Sequence, residues 1–195
     1  ALLEAMQERQ VTIGDNTYPL PDPFFVLATQ NPIEHEGTYP LPEAQLDRFI
    51  LKVLVKYPSP EEELAILRRV GVEMPQPVKR VVFKADLHRI RDLIAAISID
   101  ERIETYIVAL VSASRERSKS HNSYSRYIEF GASPRATIFL YRCAKVQAFF
   151  EGRTYVIPED VKTVAFDVLR HRIILSYERS EERRVGKECS SRWSA

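Results

Sequence analysis

An asparagine just after an apolar run is the first residue whose position suggests chemistry. The run "FFVLA" at 24–28 is typical of a strand buried in a parallel sheet, and Asn31 and Pro32 follow it. Open α/β sheets bind ligands at the carboxyl ends of their strands. A side-chain amide there is able to orient a hydrolytic water beside a phosphate oxygen. The competing interpretation is a turn, because Asn before Pro commonly starts one.

An arginine at the end of a short predicted helix is the second candidate. Arg48 follows Asp47 in a helix predicted over residues 42–48, with Pro42 near its first turn. Its guanidinium could serve a phosphate bound to a neighbouring subunit, the role called an arginine finger. The alternative is a local ion pair, or a cation favoured near the helix C-terminus.

The third candidate, Arg135, is predicted at the second position of a helix, after a Ser133 cap and Pro134. A cation at this end opposes the helix dipole and costs about 0.3–1 kcal/mol when exposed. Because a helix start is also a natural anion site, the arginine is explained if it reaches past the backbone amides to a phosphate. Screening by Glu129, or simple exposure to solvent, would explain it equally well.

The elements around the first two candidates predict the end of an α/β layer. Alternating apolar residues about Gly14-Asp15-Asn16 indicate a β-hairpin over residues 11–20. The run at 24–28 and the β-branched run "FILKVLV" at 49–55 indicate two strands, with the helix at 42–48 between them. The predicted fold class is therefore a partial α/β core with a parallel sheet, followed by an all-α domain.

From residue 58 onward the sequence predicts helices behind capping residues or prolines. The predicted helices cover 59–71 behind Ser59, 86–97 behind Asp86, 100–116 behind Asp100, 133–152 between Ser133 and Gly152, and 158–173 after Ile157. A stiff linker at 74–78 and a polar loop at 119–131 separate them. We expect a core part at 1–57, a connecting helix and linker at 58–85, a helical domain at 86–178, and a non-native or disordered tail at 179–195.

Composition excludes some classes of function. The chain has 195 residues, 45% of them hydrophobic, and a formal net charge of +1, which leaves no electrostatic footprint for nucleic acid or anionic lipid. No apolar stretch approaches the roughly 20 residues needed to cross a bilayer. Cys143 and Cys189 lie far apart and form no metal or disulfide spacing. A cytoplasmic location is expected.

Four strings taken together resemble the MoxR family of AAA+ ATPases. They are "ATQNPIEHEGTYPLPEAQLDRF", "GASPRAT", "EGRTYVIPEDV" and "DVLRHRIIL", and the resemblance runs from about residue 1 to 178. It implies that Asn31 is the sensor 1 amide near the γ-phosphate. It implies that Arg48 is the arginine finger acting across a ring interface, and that Arg135 is the sensor 2 arginine of a helical lid.

The same resemblance implies cofactors and partners. It implies ATP and Mg²⁺, with the metal ligands outside this chain, and a homo-oligomer that is commonly a hexameric ring. It also implies that the hairpin points toward the ring's central channel. Partner proteins with von Willebrand factor A domains are expected, with no nucleic acid and no membrane span.

The chain departs from the family pattern in two respects. The phosphate loop G-x-x-x-x-G-K-[ST] and the acidic pair that holds Mg²⁺ are absent, so we expect these 195 residues alone not to hydrolyse ATP. Ile157 stands where family members usually carry Thr or Ser as a helix cap, so Ile157→Thr is predicted to stabilise the fold by about 1 kcal/mol.

Two rival functions remain. A nucleic-acid motor is one, since related helicases share the hairpin and the sensor layout, although the hairpin tip "GDNT" has no Lys or Arg. A non-catalytic fragment that binds protein partners is the other.

Overall fold

The computed structural model describes residues 2–30, 41–71, 78–115 and 127–176. Within these ranges the helices are α1 (Leu2–Glu8), α2 (Glu43–Leu46), α3 (Pro60–Val70), α4 (Lys84–Ala96), α5 (Glu101–Ala113), α6 (Pro134–Phe150) and α7 (Pro158–Leu169). The strands are β1 (Gln10–Ile13), β2 (Asn16–Pro19), β3 (Ile128–Phe130) and β4 (Ile174–Leu175). Of the helices described, none combines the length and apolarity that crossing a bilayer requires.

The predicted hairpin is confirmed, with strands that begin and end one residue earlier than predicted. β1 and β2 pair antiparallel, with Ile13 opposite Asn16, so that two residues form the loop. Gly14 is the first of them and has a φ of 61°. Glycine adopts this conformation without steric cost, and a glycine in this place fits the type II′ turn that matches strand twist.

The strands predicted at 24–28 and 49–55 are not formed, and this part of the prediction is wrong. Both segments are described, and neither pairs with a strand. Their apolar side chains face solvent, with Phe25 81% and Val55 95% exposed. A strand needs a neighbour to satisfy its backbone N–H and C=O groups. Because the described ranges provide no such neighbour, they contain no parallel sheet.

The two helices predicted between residues 42 and 71 are confirmed. α2 lies inside the predicted span 42–48, and α3 begins behind Ser59 with Pro60 at its first position. Ser59 Oγ accepts from the Glu62 N–H at 3.3 Å, and the Glu62 carboxylate accepts from the Ser59 N–H at 2.7 Å. This reciprocal pair is a capping box, which satisfies two backbone donors that the helix start would otherwise leave free.

The packed core lies among α5, α6 and α7, where the predicted apolar faces are confirmed. The buried positions of α6 are spaced four residues apart and are mostly alanines, whose small side chains let neighbouring helices approach closely. The buried core side chains of the three helices are Ile103, Ile107, Val111, Ala136, Leu140, Ala144, Ala148, Val161 and Val168. Non-directional burial of this kind is the main stabilising contribution in a helical domain.

Two helix starts use an aspartate at the third helical position rather than at the cap. α4 begins at Lys84, so the prediction of Asp86 as its cap is wrong. The Asp86 carboxylate instead accepts from the Phe83 N–H at 2.8 Å. At the start of α7, the Asp160 carboxylate accepts from the Ile157 N–H at 2.9 Å. Each carboxylate also lies at the positive end of its helix, where a negative charge is favoured.

The C-terminal end of α6 follows the prediction. Gly152 has a φ of 69°, the left-handed conformation that commonly terminates a helix. The Gly152 N–H donates to the Phe149 carbonyl at 3.0 Å, and the Arg153 N–H donates to the Ala148 carbonyl at 2.9 Å. This pair of bonds is a Schellman motif, and it satisfies carbonyls that the helix end leaves free.

A short sheet occupies the end of the segment predicted as a polar loop at 119–131, of which residues 119–126 lie outside the described ranges. β3 pairs antiparallel with β4, and Gly131 directly follows β3. A Cβ on Gly131 would lie 2.4 Å from the backbone oxygen of Ser114. Ser114 Oγ also accepts from the Ala132 N–H at 3.0 Å. The close approach therefore fixes the backbone just before α6 begins.

Candidate functional site

The Asp47 carboxylate connects the first part of the chain to the helical part. Ser133 Oγ lies 2.9 and 2.8 Å from its two oxygens, Arg135 Nη1 donates at 3.1 Å, and Arg172 Nε donates at 3.0 Å. Burial raises the pKa of Asp47, but the hydrogen bonds from Ser133 and Arg135 and the charge of Arg172 together outweigh burial and lower that pKa. Asp47 is therefore an anion at neutral pH.

Arg135 lies where the sequence predicted it, at the second position of α6. Ser133 is the cap, and its Oγ accepts from the Arg135 N–H at 3.2 Å. The Arg135 side chain is 44% exposed and pairs with Asp47. A guanidinium at a helix N-terminus is unfavourable by itself, and the nearby carboxylate offsets that cost. The ion pair leaves the exposed side of the guanidinium open to a second anion.

Two side-chain nitrogens of Arg48 lack an acceptor among the residues that the structure describes. Nε and Nη1 are buried and have no hydrogen-bond partner within the part of the chain that the structure describes. The local ion pair considered in the sequence analysis is not formed there, because the Asp47 carboxylate is taken by Arg135 and Arg172. A buried donor without a partner costs about 1–3 kcal/mol, and more when it is charged. An external acceptor would remove this cost.

Sequence reasoning missed Arg172, whose side chain is fully buried. Besides Asp47, it contacts backbone carbonyls on two segments and the face of the Phe139 ring, 4.9 Å from the ring centroid. The carbonyls that accept from it belong to Asp47, Phe49, Ile50 and Val168. Burial lowers the pKa of Arg172, and the Asp47 carboxylate opposes that shift. The available signal was the string "DVLRHRIIL", which carried no assigned role.

Of the three predicted site residues, Arg48 and Arg135 lie within the described ranges. Arg48 is adjacent in sequence to Asp47, and Arg135 is ion-paired with it. Asn31 lies outside the described residues, so its prediction stays untested. Within the described ranges, no group of three or more His, Cys, Asp or Glu side chains is placed to hold a metal ion.

Comparison with known proteins identifies the family. Residues 1–51 match the model of the ATPase family associated with various cellular activities (AAA), and residues 123–189 match the model of the AAA lid domain. The chain is 50% identical over 179 residues to the protein named chaperone MoxR1 of Mycobacterium tuberculosis. It is 33% identical over 190 residues to the protein named MoxR of Methylorubrum extorquens. The chain belongs to the MoxR family of AAA+ ATPases.

The MoxR-family chain spans about half the length of the curated relatives it matches. The matches cover 91% of this chain and 47% of the mycobacterial protein, and 89% of this chain and 54% of the Methylorubrum protein. A crystal structure from Cytophaga hutchinsonii, described as that of a candidate ATPase, is 53% identical with a TM-score of 0.86. That match covers 93% of this chain and 56% of the other.

The candidate site joins the two matched portions of this MoxR-family chain. Asp47 and Arg48 lie within the portion that matches the AAA family model. Ser133, Arg135 and Arg172 lie within the portion that matches the lid model. The contacts to the Asp47 carboxylate therefore link the ATPase portion to the lid portion.

Proposed function

We propose that this chain completes a nucleotide site across a subunit boundary in a MoxR-type ATPase. The assembled protein would use ATP hydrolysis to remodel or activate partner proteins. The observation that carries the proposal is that Asp47 binds the partly exposed Arg135, while the next residue, Arg48, has two nitrogens without an acceptor among the described residues. Two guanidinium groups at one boundary would form a site for a polyanion such as a triphosphate.

Asp47 relates the positions of the two arginines. Asp47 and Arg48 are consecutive, so their Cα atoms lie about 3.8 Å apart. Arg135 is held 3.1 Å from the Asp47 carboxylate. The proposal places both guanidinium groups at the same subunit boundary. If Arg48 reaches the nucleotide of a neighbour, Arg135 reaches that nucleotide as well.

Each side chain would have a distinct task in the reaction. ATP with Mg²⁺, when bound, supplies the phosphoryl group, whose charge becomes spread over its oxygens during transfer. Arg48 would neutralise part of that charge, after rotating its buried nitrogens toward the boundary, and Arg135 would bind a phosphate oxygen at the start of α6. Asn31 would orient the attacking water.

The proposal extends to the assembly and to its partners. Supported by the family membership, it includes a hexameric ring, the β1–β2 hairpin directed at a central channel, and partners with von Willebrand factor A domains. It also includes a cytoplasmic location, and the division into a core at 1–57, a connector at 58–85, a lid at 86–178 and a tail at 179–195.

The proposal is tested by ATP hydrolysis in the full-length protein. Arg48→Ala is expected to lower kcat by about 10³-fold or more, with little change in KM, because an arginine finger acts mainly on the transition state. Arg135→Ala should lower kcat less and raise KM, because this residue also binds the ground-state nucleotide. Arg142→Ala, at an exposed position of the same helix α6, is the matched control and should keep normal turnover.

Turnover by Arg48→Ala equal to that of the unaltered protein would contradict the proposal. The 195-residue chain alone provides a second comparison. It is expected to show no more ATP hydrolysis than its own Arg48→Ala variant, because the phosphate-loop pattern is not in its sequence.

A further inference from the structure

We propose that Arg172 is a positioning residue for Arg48, which fixes the segment of residues 47–52 to the C-terminal end of α7. This inference rests on the proposed function and deepens it. It assigns a role to the string "DVLRHRIIL" and makes the location of the finger depend on the location of the lid.

The first argument is the geometry of the Arg172 guanidinium. Its Nη2 donates to the Asp47 carbonyl at 2.9 Å and also to the Phe49 carbonyl, and its Nη1 donates to the Ile50 carbonyl at 3.2 Å. These carbonyls lie on both sides of Arg48. Its Nε donates to the Asp47 carboxylate. A single buried group therefore holds the backbone before and after the proposed finger.

Arginine suits this task better than any other residue. Its planar guanidinium offers five N–H donors in a fixed arrangement, and Arg172 has five acceptors, one of them the Val168 carbonyl of α7 itself. Lysine has three donors on one nitrogen and is unable to reach the same set of acceptors. Lysine in place of Arg172 would keep the charge and lose most of the contacts.

Two further hydrogen bonds attach the same segment to α7. His171 Nε2 lies 3.0 Å from the Phe49 carbonyl, and the Lys52 N–H donates to the Asp167 carbonyl at 2.8 Å. Since a carbonyl only accepts, Nε2 carries the proton in this contact. The α7-side partners of all these hydrogen bonds lie in the last turn of α7 or directly after it.

The second argument is that the other described contacts from α6 reach only the Asp47 carboxylate, through Ser133 and Arg135, and leave the backbone after it to α7. Residues 49–55 have no strand partner, so their position is not set by a sheet. Arg48 Nε and Nη1 have no hydrogen-bond partner among the described residues, so that side chain does not anchor the backbone. The backbone is held by α7, and the Arg48 side chain is left for another acceptor.

The consequence for catalysis follows from the precision that phosphoryl transfer demands. A displacement of about 1 Å in a group that acts on the transition state costs about 100-fold in rate. Loss of the Arg172 contacts would loosen residues 47–52 without removing the Arg48 guanidinium. The defect should therefore appear in kcat and should depend on the presence of Arg48.

The test is a double-mutant cycle in the full-length protein. Arg172→Lys is expected to lower kcat about 10- to 100-fold with KM within about twofold. In the double variant with Arg48→Ala, kcat should equal that of Arg48→Ala alone, because a residue that acts only through Arg48 has nothing left to position. Arg170→Lys is the matched control, because Arg170 pairs with Asp167 and contacts Phe166 instead of residues 47–52. It should retain normal turnover.

Hydrogen exchange of the same proteins gives a readout that does not need activity. In Arg172→Lys, the amides of residues 47–52 should exchange at least about tenfold faster, while those of α5 and α6 keep their protection. Unchanged exchange at 47–52, or an additive loss of kcat in the double variant, would overturn the inference. If Arg48→Ala itself keeps normal turnover, it is the proposed function that fails, and the exchange experiment still decides whether Arg172 holds the segment.

Discussion

The helical part of this chain and the part before it both contain apolar side chains, but they differ in how far those side chains are buried. Between Ile97 and Val168 the apolar side chains of α5, α6 and α7 form a buried cluster. Among the residues up to 71 whose side-chain burial the structure describes, Ala5 is the only buried apolar one. A helix satisfies its own backbone hydrogen bonds and needs only packing, whereas a strand needs a partner for its backbone. A run suited to a buried strand therefore stays exposed until a neighbouring strand is supplied.

Polar contacts join the two parts. Asp47 meets Ser133, Arg135 and Arg172, and on the other side Asp22 accepts from Arg91 of α4 at 3.3 Å. Hydrogen bonds and ion pairs are directional. They therefore define how the two parts are placed relative to each other more strongly than apolar contacts do. The comparison predicts large stability effects inside the helical cluster and small ones in the exposed runs.

The largest expected effect comes from the centre of the cluster. Leu140→Ala should lower the free energy of unfolding by about 2–5 kcal/mol, because it leaves a cavity among α5, α6 and α7. Leu54→Ala is the same change in the exposed run and should stay within about 0.5 kcal/mol. Urea unfolding of the two variants measures both values. Equal losses would show that residues 49–55 are packed as well as α6 is.

A smaller loss is expected where the backbone approaches itself before α6. In Gly131→Ala the new methyl would lie 2.4 Å from the Ser114 carbonyl oxygen, so the backbone must shift. Overpacking of this kind costs about 1–3 kcal/mol. Urea unfolding again measures it. A change below about 0.5 kcal/mol would mean that the loop before α6 moves freely and does not fix the position of Ser133.

A gain is expected at the start of α7. Ile157 caps this helix without a side-chain acceptor, although its own N–H is satisfied by Asp160. Ile157→Thr should raise the free energy of unfolding by about 1 kcal/mol, because the hydroxyl is able to accept from a first-turn N–H. Ile157→Val removes a methylene without adding an acceptor and serves as the control. A loss with Thr would mean that the packing of Ile157 outweighs the missing cap.

The last prediction is a loss of stability in acid. Burial raises the pKa of Asp160, but hydrogen bonds from Arg153 and from the Ile157 N–H outweigh burial. The pKa therefore lies below the ordinary 3.8. The Asp47 pKa is lowered in the same direction. Because both pKa values are depressed in the folded state, their contribution to stability is complete above about pH 3.8 and is lost as the pH falls through the folded pKa values.

Unfolding measured from about pH 6 downward should therefore show stability falling below pH 3.8, with a smaller slope in Asp160→Asn. An identical slope in the variant would mean that Asp160 does not contribute to the acid dependence.

Elements whose cause is local could be predicted from the amino-acid sequence alone. Ser59, Asp100 and Ser133 cap their helices as predicted, and Gly152 ends α6 in a left-handed conformation. Neighbouring residues decide these features, because a cap or a turn is satisfied within a few positions along the chain. The family strings also lie in the local sequence, and the comparisons confirm the family that they indicated.

The assembly of the candidate site depends on contacts between distant segments, which the sequence pattern did not reveal. Asp47 and Arg172 are 125 positions apart, and no spacing rule relates them. The same holds for the strands, since a run at 24–28 contains its own apolar pattern and not its partner. Hydrogen bonds between distant segments form only when both segments are placed, so the residue that holds the backbone on both sides of Arg48 could not be found from the pattern around Arg48 itself.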